Sequence, residues 1–223
     1  MSLSPNCGPR REGARPDLVV IHYTAMASAE AARVRLCDPA AEVSAHWLVP
    51  ERGEPLALVP EELRAWHAGA GSWGGVTDVN SRSIGIELAN PGDRPFSEPQ
   101  MAALERLLAG ILARWRIPPA RVIGHSDMAP ERKCDPGPRF DWRRLARGGL
   151  SVWPSDGCPP AEAETFAASA RAFGYPAVEA ELLLAAVRLR FRPWARGPLT
   201  GEDAGVMADL AARYPVDGET SQA

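Results

Sequence analysis

A chain of 223 residues, 45% hydrophobic and 24% charged, is long enough to bury a sizeable core and fits one domain of moderate size with a small appendix. Its net charge of −3 and pI ≈ 5.9, with no block of Lys or Arg, argue against a nucleic-acid partner. No apolar run reaches the ~18 residues of a membrane span, and the scattered cysteines Cys7, Cys37, Cys134 and Cys158 make no disulfide framework.

Residues 1–15 are Pro, Gly and Arg without periodicity and read as a flexible tail. They carry no apolar stretch of signal-peptide type, which points to the cytoplasm; the alternative is the periplasm or cell envelope, were an export leader to precede the chain. Leu18-Val-Val-Ile-His-Tyr23 reads as a buried strand ending in His22, and Ser28 caps an expected helix from Ala29 to Leu36. Val43–Val49 and Pro55–Val59 are strand-like, joined by a turn at Glu51–Glu54. Residues 64–83 form a glycine-rich loop carrying Trp66, His67 and Trp73, a mix suited to sugar or peptide contact.

Ile84-Gly-Ile-Glu-Leu88 alternates like a strand with one face in the core. Glu87 then points away from the isoleucines, toward water, a cleft or a cation. Ser97-Glu-Pro-Gln100 resembles a capping box with Pro in the first turn. It opens a helix with Met101, Leu104, Leu108, Ile111, Leu112 and Trp115 on one stripe, ended by Pro118-Pro119. Val122-Ile-Gly-His125 is a second short strand ending in histidine, and residues 126–142 are irregular. Residues 16–150 are read as the main domain and 151–160 as a linker. A small helical domain follows at 161–215, with helices over Ala161–Phe173, Ala177–Phe191 and Glu202–Tyr214, and then a tail at 216–223.

His22 and His125 both end apolar strands, where a rigid scaffold delivers side chains into a cleft. Asp135 follows in a Pro/Gly loop that can return it to the same mouth. Two imidazoles and a carboxylate leave a fourth position open on Zn²⁺, as catalytic sites require. Lysine is nearly absent from the chain, which singles out Lys133. Two residues from Asp135, it shares a face with it in an extended segment and suits an oxyanion. Cys134, between them, points the other way and is set aside.

Taken in order, Ile21-His-Tyr-Thr24, Val43-Ser-Ala-His-Trp47, Ala65-Trp-His-Ala-Gly69, Asn80-Ser-Arg-Ser-Ile-Gly-Ile-Glu87, Ile123-Gly-His-Ser-Asp127 and Lys133-Cys-Asp-Pro-Gly-Pro138 resemble the zinc-dependent N-acetylmuramoyl-L-alanine amidases of the AmpD/AmiD type. This is the amidase-2 family, related to the peptidoglycan recognition proteins; the chain's final helices look closest to the AmiD subgroup. The resemblance implies an α/β fold, a mixed central sheet flanked by helices, with a small C-terminal three-helix domain of peptidoglycan-binding type. It implies one Zn²⁺ on His22, His125 and Asp135, with Glu87 as general base and Lys133 at the oxyanion. Trp66, His67, Trp73 and Asn80 become the expected substrate contacts. The implied reaction is hydrolysis of the amide between N-acetylmuramic acid, or its 1,6-anhydro form, and L-alanine of the stem peptide. Peptidoglycan fragments or cell wall would be the partners and a monomer the form. A non-catalytic muropeptide-binding protein on the same fold is the alternative.

Overall fold

β2 (Leu18–Tyr23) is fully apolar up to His22 because it is covered on both faces, as strands of parallel sheets are. The computed structural model describes residues 3–216. Its five-stranded sheet runs β4-β3-β6-β2-β7, with β3 (Trp47–Val49), β4 (Leu56–Ala57), β6 (Ser83–Leu88) and β7 (Val122–Gly124). β3, β6, β2 and β7 are parallel neighbours, and β4 closes an edge antiparallel to β3. The sheet is therefore mixed, as the resemblance implies. The strand-like stretches around Val43 and Pro55 shrink to these short pairings.

Successive side chains alternate between the faces. Val19 and Ile21 of β2, with Ile84, Ile86 and Leu88 of β6, pack against Met101, Leu104, Leu108 and Ile111 of α3 (Glu98–Trp115). Each such side chain contributes about 1.5–3 kcal/mol when fully buried. Ser97 caps α3 by accepting from the Gln100 N–H, and Arg116 ends it in a left-handed conformation two residues before Pro118. Gln100 does not complete a capping box. Its amide instead donates to the carbonyls of Val49 and Ala89, 2.8 and 3.0 Å away, and ties α3 to two strand ends.

The opposite face carries Leu18 and Val20 of β2 and Ile123 of β7. They share one core with α6 (Phe166–Phe173), α7 (Ala180–Phe191) and α8 (Gly201–Arg213). The stretch expected as a linker is built into this packing. Ser151 and Val152 are buried, and the Ser155 N–H and hydroxyl both donate to Asp209 of α8 at 2.9 Å. No helix among the described residues is long and apolar enough to cross a membrane.

Residues 3–15 depart from the expected tail. β1 (Cys7–Pro9) pairs antiparallel with β5 (Leu63–Ala65), and the buried Arg10 guanidinium donates to the carbonyls of Glu61, Ser81 and Ser83. Pro/Gly composition removed periodicity here without removing partners. Of the expected tail at 216–223, all beyond Val216 lies outside the described residues.

Candidate metal centre and active site

The parallel register sets His22 of β2 opposite Glu87 of β6, both on the face away from α3 and at the C-terminal ends of their strands. β7 ends at Gly124, and His125 begins α4 (His125–Met128), a single turn that aims its ring toward His22. Asp135 returns along the following loop, its carbonyl accepting from the Ser126 N–H at 2.9 Å. His22 Nδ1 and His125 Nδ1 are 2.9 Å apart, and Asp135 Oδ2 lies 3.0 and 3.1 Å from them. All three residues are buried.

The outer hydrogen bonds fix which ring nitrogens are bare. His125 Nε2 must carry its proton, because it meets the Ala68 carbonyl at 2.9 Å. Ser83 donates its hydroxyl to the Val79 carbonyl, so it accepts from His67 Nε2 at 3.1 Å. Neutral His67 then presents a lone pair at Nδ1 to His22 Nε2–H, 3.0 Å away. Burial first, and then His22, hold the His67 pKa well below the ordinary value. Burial, seconded by His125, lowers that of His22 to about 4. Both Nδ1 atoms are thereby left as lone pairs facing a carboxylate.

Three acceptors at such distances repel one another unless a cation lies among them. Their spacing is near the roughly 3.3 Å edge of a tetrahedron with ~2.0 Å bonds. Two imidazoles and one carboxylate are a donor set that suits Zn²⁺, so the residues fit the metal.

Glu87 keeps some solvent access at the pocket, but its Oε2 is buried and has no hydrogen-bond partner among the described residues. Burial, then Asp135, raises its pKa to about 8, with Lys133 opposing. Lys133 is the chain's single lysine and stands exposed on the rim. The pocket holds about 340 Å³ and is lined by His22, Glu87, His125, Lys133 and Asp135, with Trp66 on its wall. A wider groove of about 1080 Å³, lined by Arg11, Arg15, Arg82 and Arg116, opens where β2 and β6 begin and contains none of these groups.

Of the expected substrate contacts, only Trp66 stands as a free pocket wall. His67 borders the pocket but is engaged at both nitrogens, behind His22. Its ring lies against Gly85, where a Cβ would come within 2.4 Å of it, which explains a glycine in mid-strand. Asn80 is buried and accepts from the N–H groups of His67 and Ala68 at 3.0 and 2.8 Å, so it anchors this loop rather than facing substrate. Trp73 is fully buried between Phe173 and Tyr175, with ring centroids at 5.5 and 5.1 Å. It anchors the C-terminal helices and cannot reach a ligand from solvent. Arg132 was missed: it donates to the carbonyls of Ala68 and Ala70 and pins the loop beside His125. A lone arginine in a charged loop gives no signal of that.

The sequence profile of the N-acetylmuramoyl-L-alanine amidase family matches residues 12–138. The N-acetylmuramoyl-L-alanine amidase AmiD of Escherichia coli K12 is 40% identical over 219 residues, spanning 91% of this chain and 67% of that protein. The 1,6-anhydro-N-acetylmuramyl-L-alanine amidase AmpD of Enterobacter cloacae is 35% identical over 64% of this chain and 85% of its own length. In three dimensions the chain superposes on E. coli AmiD bound to anhydro-N-acetylmuramic acid-L-Ala-D-gamma-Glu-L-Lys with a TM-score of 0.85 at 32% identity, covering 94% of both chains.

Proposed function

The chain belongs to the N-acetylmuramoyl-L-alanine amidase family, and on that premise we propose how its own residues perform the hydrolysis. The protein cleaves the amide between the lactyl group of N-acetylmuramic acid, including the 1,6-anhydro sugar, and L-alanine of the stem peptide, in turnover and recycling of the cell wall. His22 Nδ1, His125 Nδ1 and Asp135 Oδ2 would hold Zn²⁺. When bound, zinc supplies a Lewis acid and makes water nucleophilic at neutral pH.

Glu87 takes the proton from the attacking water, and the unpaired Oε2 leaves a lone pair free to do so. The same carboxyl then gives that proton to the departing nitrogen of L-alanine. The first transfer needs this carboxyl ionised, which a neighbouring cation favours against the burial that raises its pKa. Lys133 stands on the rim and stabilises the negative oxygen that develops on the former carbonyl. Trp66 offers an apolar wall for the sugar or peptide.

The observation that carries this reading is the meeting of three lone-pair donors beside a carboxylate with an unpaired oxygen. Incubating the protein with anhydro-muropeptide, with and without chelator, and weighing the products tests it. Free stem peptide beginning with L-alanine is expected, and it disappears with chelator and returns with zinc. Chelator-insensitive cleavage would remove the metal from the mechanism, and binding without cleavage would leave a recognition protein.

A further inference from the structure

His125 is carried by a helix of one turn, which cannot hold its own geometry without tertiary support. The support is Asp127, fully buried two residues after the ligand. Its Oδ2 accepts from the Gly124 N–H at 2.8 Å and fixes the backbone as it enters the turn. Ser126, between His125 and Asp127, donates its N–H to the Asp135 carbonyl. Two of the three candidate ligands therefore take their position from this single turn.

Asp127 itself is held from the C-terminal helices. Arg190 of α7 donates to Oδ2 at 2.7 Å, and the Tyr175 hydroxyl, just beyond α6, donates to Oδ1 at 2.7 Å. Arg190 also donates to the Val122 carbonyl at 3.0 Å and to the Ser151 hydroxyl at 3.2 Å. Its guanidinium lies over the rings of Trp142 and Phe191, 4.4 and 4.8 Å from their centroids. Arg190 and Asp127 are sealed from water, with side-chain exposures of 1% and 0%. A fully desolvated pair has a high electrostatic cost if its geometry slips, so it locks the elements it joins.

We propose that Arg190 and Tyr175 are positioning residues for the metal centre, acting through Asp127 on His125 and Asp135. The C-terminal helices are then part of the machinery that shapes the site. Removal of this clamp frees the α4 turn to rotate His125 away from His22, even where the sheet stays folded. The inference rests on the proposed zinc site of His22, His125 and Asp135.

The test uses the full chain, stripped of metal and titrated with Zn²⁺ against a chromophoric chelator, and separately loaded with Co²⁺ to record its visible absorption bands. Tyr175→Phe removes one hydrogen bond without changing shape, and Arg190→Lys keeps the charge but loses the fork. Leu210→Ala, in the same core but with no hydrogen bond to Asp127, supplies a baseline for general destabilisation. Both clamp variants are expected to bind zinc about ten-fold more weakly, within the range for groups that orient ligands, and to show altered cobalt bands. Leu210→Ala should melt earlier with wild-type affinity and bands. The proposal is overturned if the clamp variants match wild type, or if Leu210→Ala loses as much affinity as they do. A wild-type protein that binds neither metal overturns the parent reading and this one together.

Discussion

His22 and Glu87 face each other across the β2–β6 ladder, one step from where both strands leave the sheet. A candidate ligand and a candidate base are thus placed by backbone hydrogen bonding alone, and their separation does not depend on any loop. Glu87→Gln keeps the shape of the side chain and removes its ability to take a proton. It should retain zinc while kcat falls by about 10²–10⁴, the usual range for a general base. Metal content and turnover measured on one preparation check this; near-normal turnover would reassign the base.

His67 supports His22 from behind, with both of its ring nitrogens engaged. His67→Ala should therefore weaken zinc binding by about 10–100-fold, read by chelator competition. Trp66→Ala should leave zinc affinity intact and raise KM instead. The reverse pattern would return His67 to the substrate.

Gly85 is glycine because the His67 ring occupies the space of a side chain. Gly85→Ala forces that ring aside, so it should cost roughly 1–3 kcal/mol as an overpacked site and weaken zinc binding as well. Thermal melts with and without zinc would separate the two effects. An unchanged zinc-dependent shift in Tm would contradict the link.

His46 gives the fold a pH dependence of its own. Its Nε2–H donates to the Leu63 carbonyl at 3.0 Å and its Nδ1 accepts from the Gly85 N–H at 2.9 Å, so both nitrogens are committed in the neutral ring. Burial, with Arg10 nearby, outweighs the Leu63 carbonyl and lowers its pKa to about 4. The folded value lies below the unfolded one of about 6.5. This contribution is therefore complete above pH ~6.5 and is lost as pH falls toward 4, by about 3 kcal/mol in all. Urea melts of metal-free protein from pH 7 to pH 4 should show the decline, and His46→Gln should make it shallower, with buried His22 and His67 supplying the rest.

The candidate site was legible where strand patterning marked it. His22 and His125 end apolar runs, and Glu87 takes the polar phase of an alternating one. Trp73 misled because an aromatic among glycines looks like a ligand contact; the side chains that cover it, Phe173 and Tyr175, arrive from far along the chain. Asn80 and Arg10 were opaque for another reason. Their partners are main-chain groups, which every residue has and no sequence pattern announces. The C-terminal helices were recognisable one by one, with starts misplaced by up to a turn or more. Their sharing of a core with β2 and β7 depends on long-range packing that helical periodicity does not encode.

Zinc stoichiometry on the purified protein and on His22→Ala, His125→Ala and Asp135→Ala decides whether these three side chains form one centre. One tightly held zinc per chain is expected in the wild type, lost or severely weakened in each single variant while the fold persists by circular dichroism. Full occupancy in any of the three, or a folded wild-type protein that takes up no zinc, would contradict the assignment.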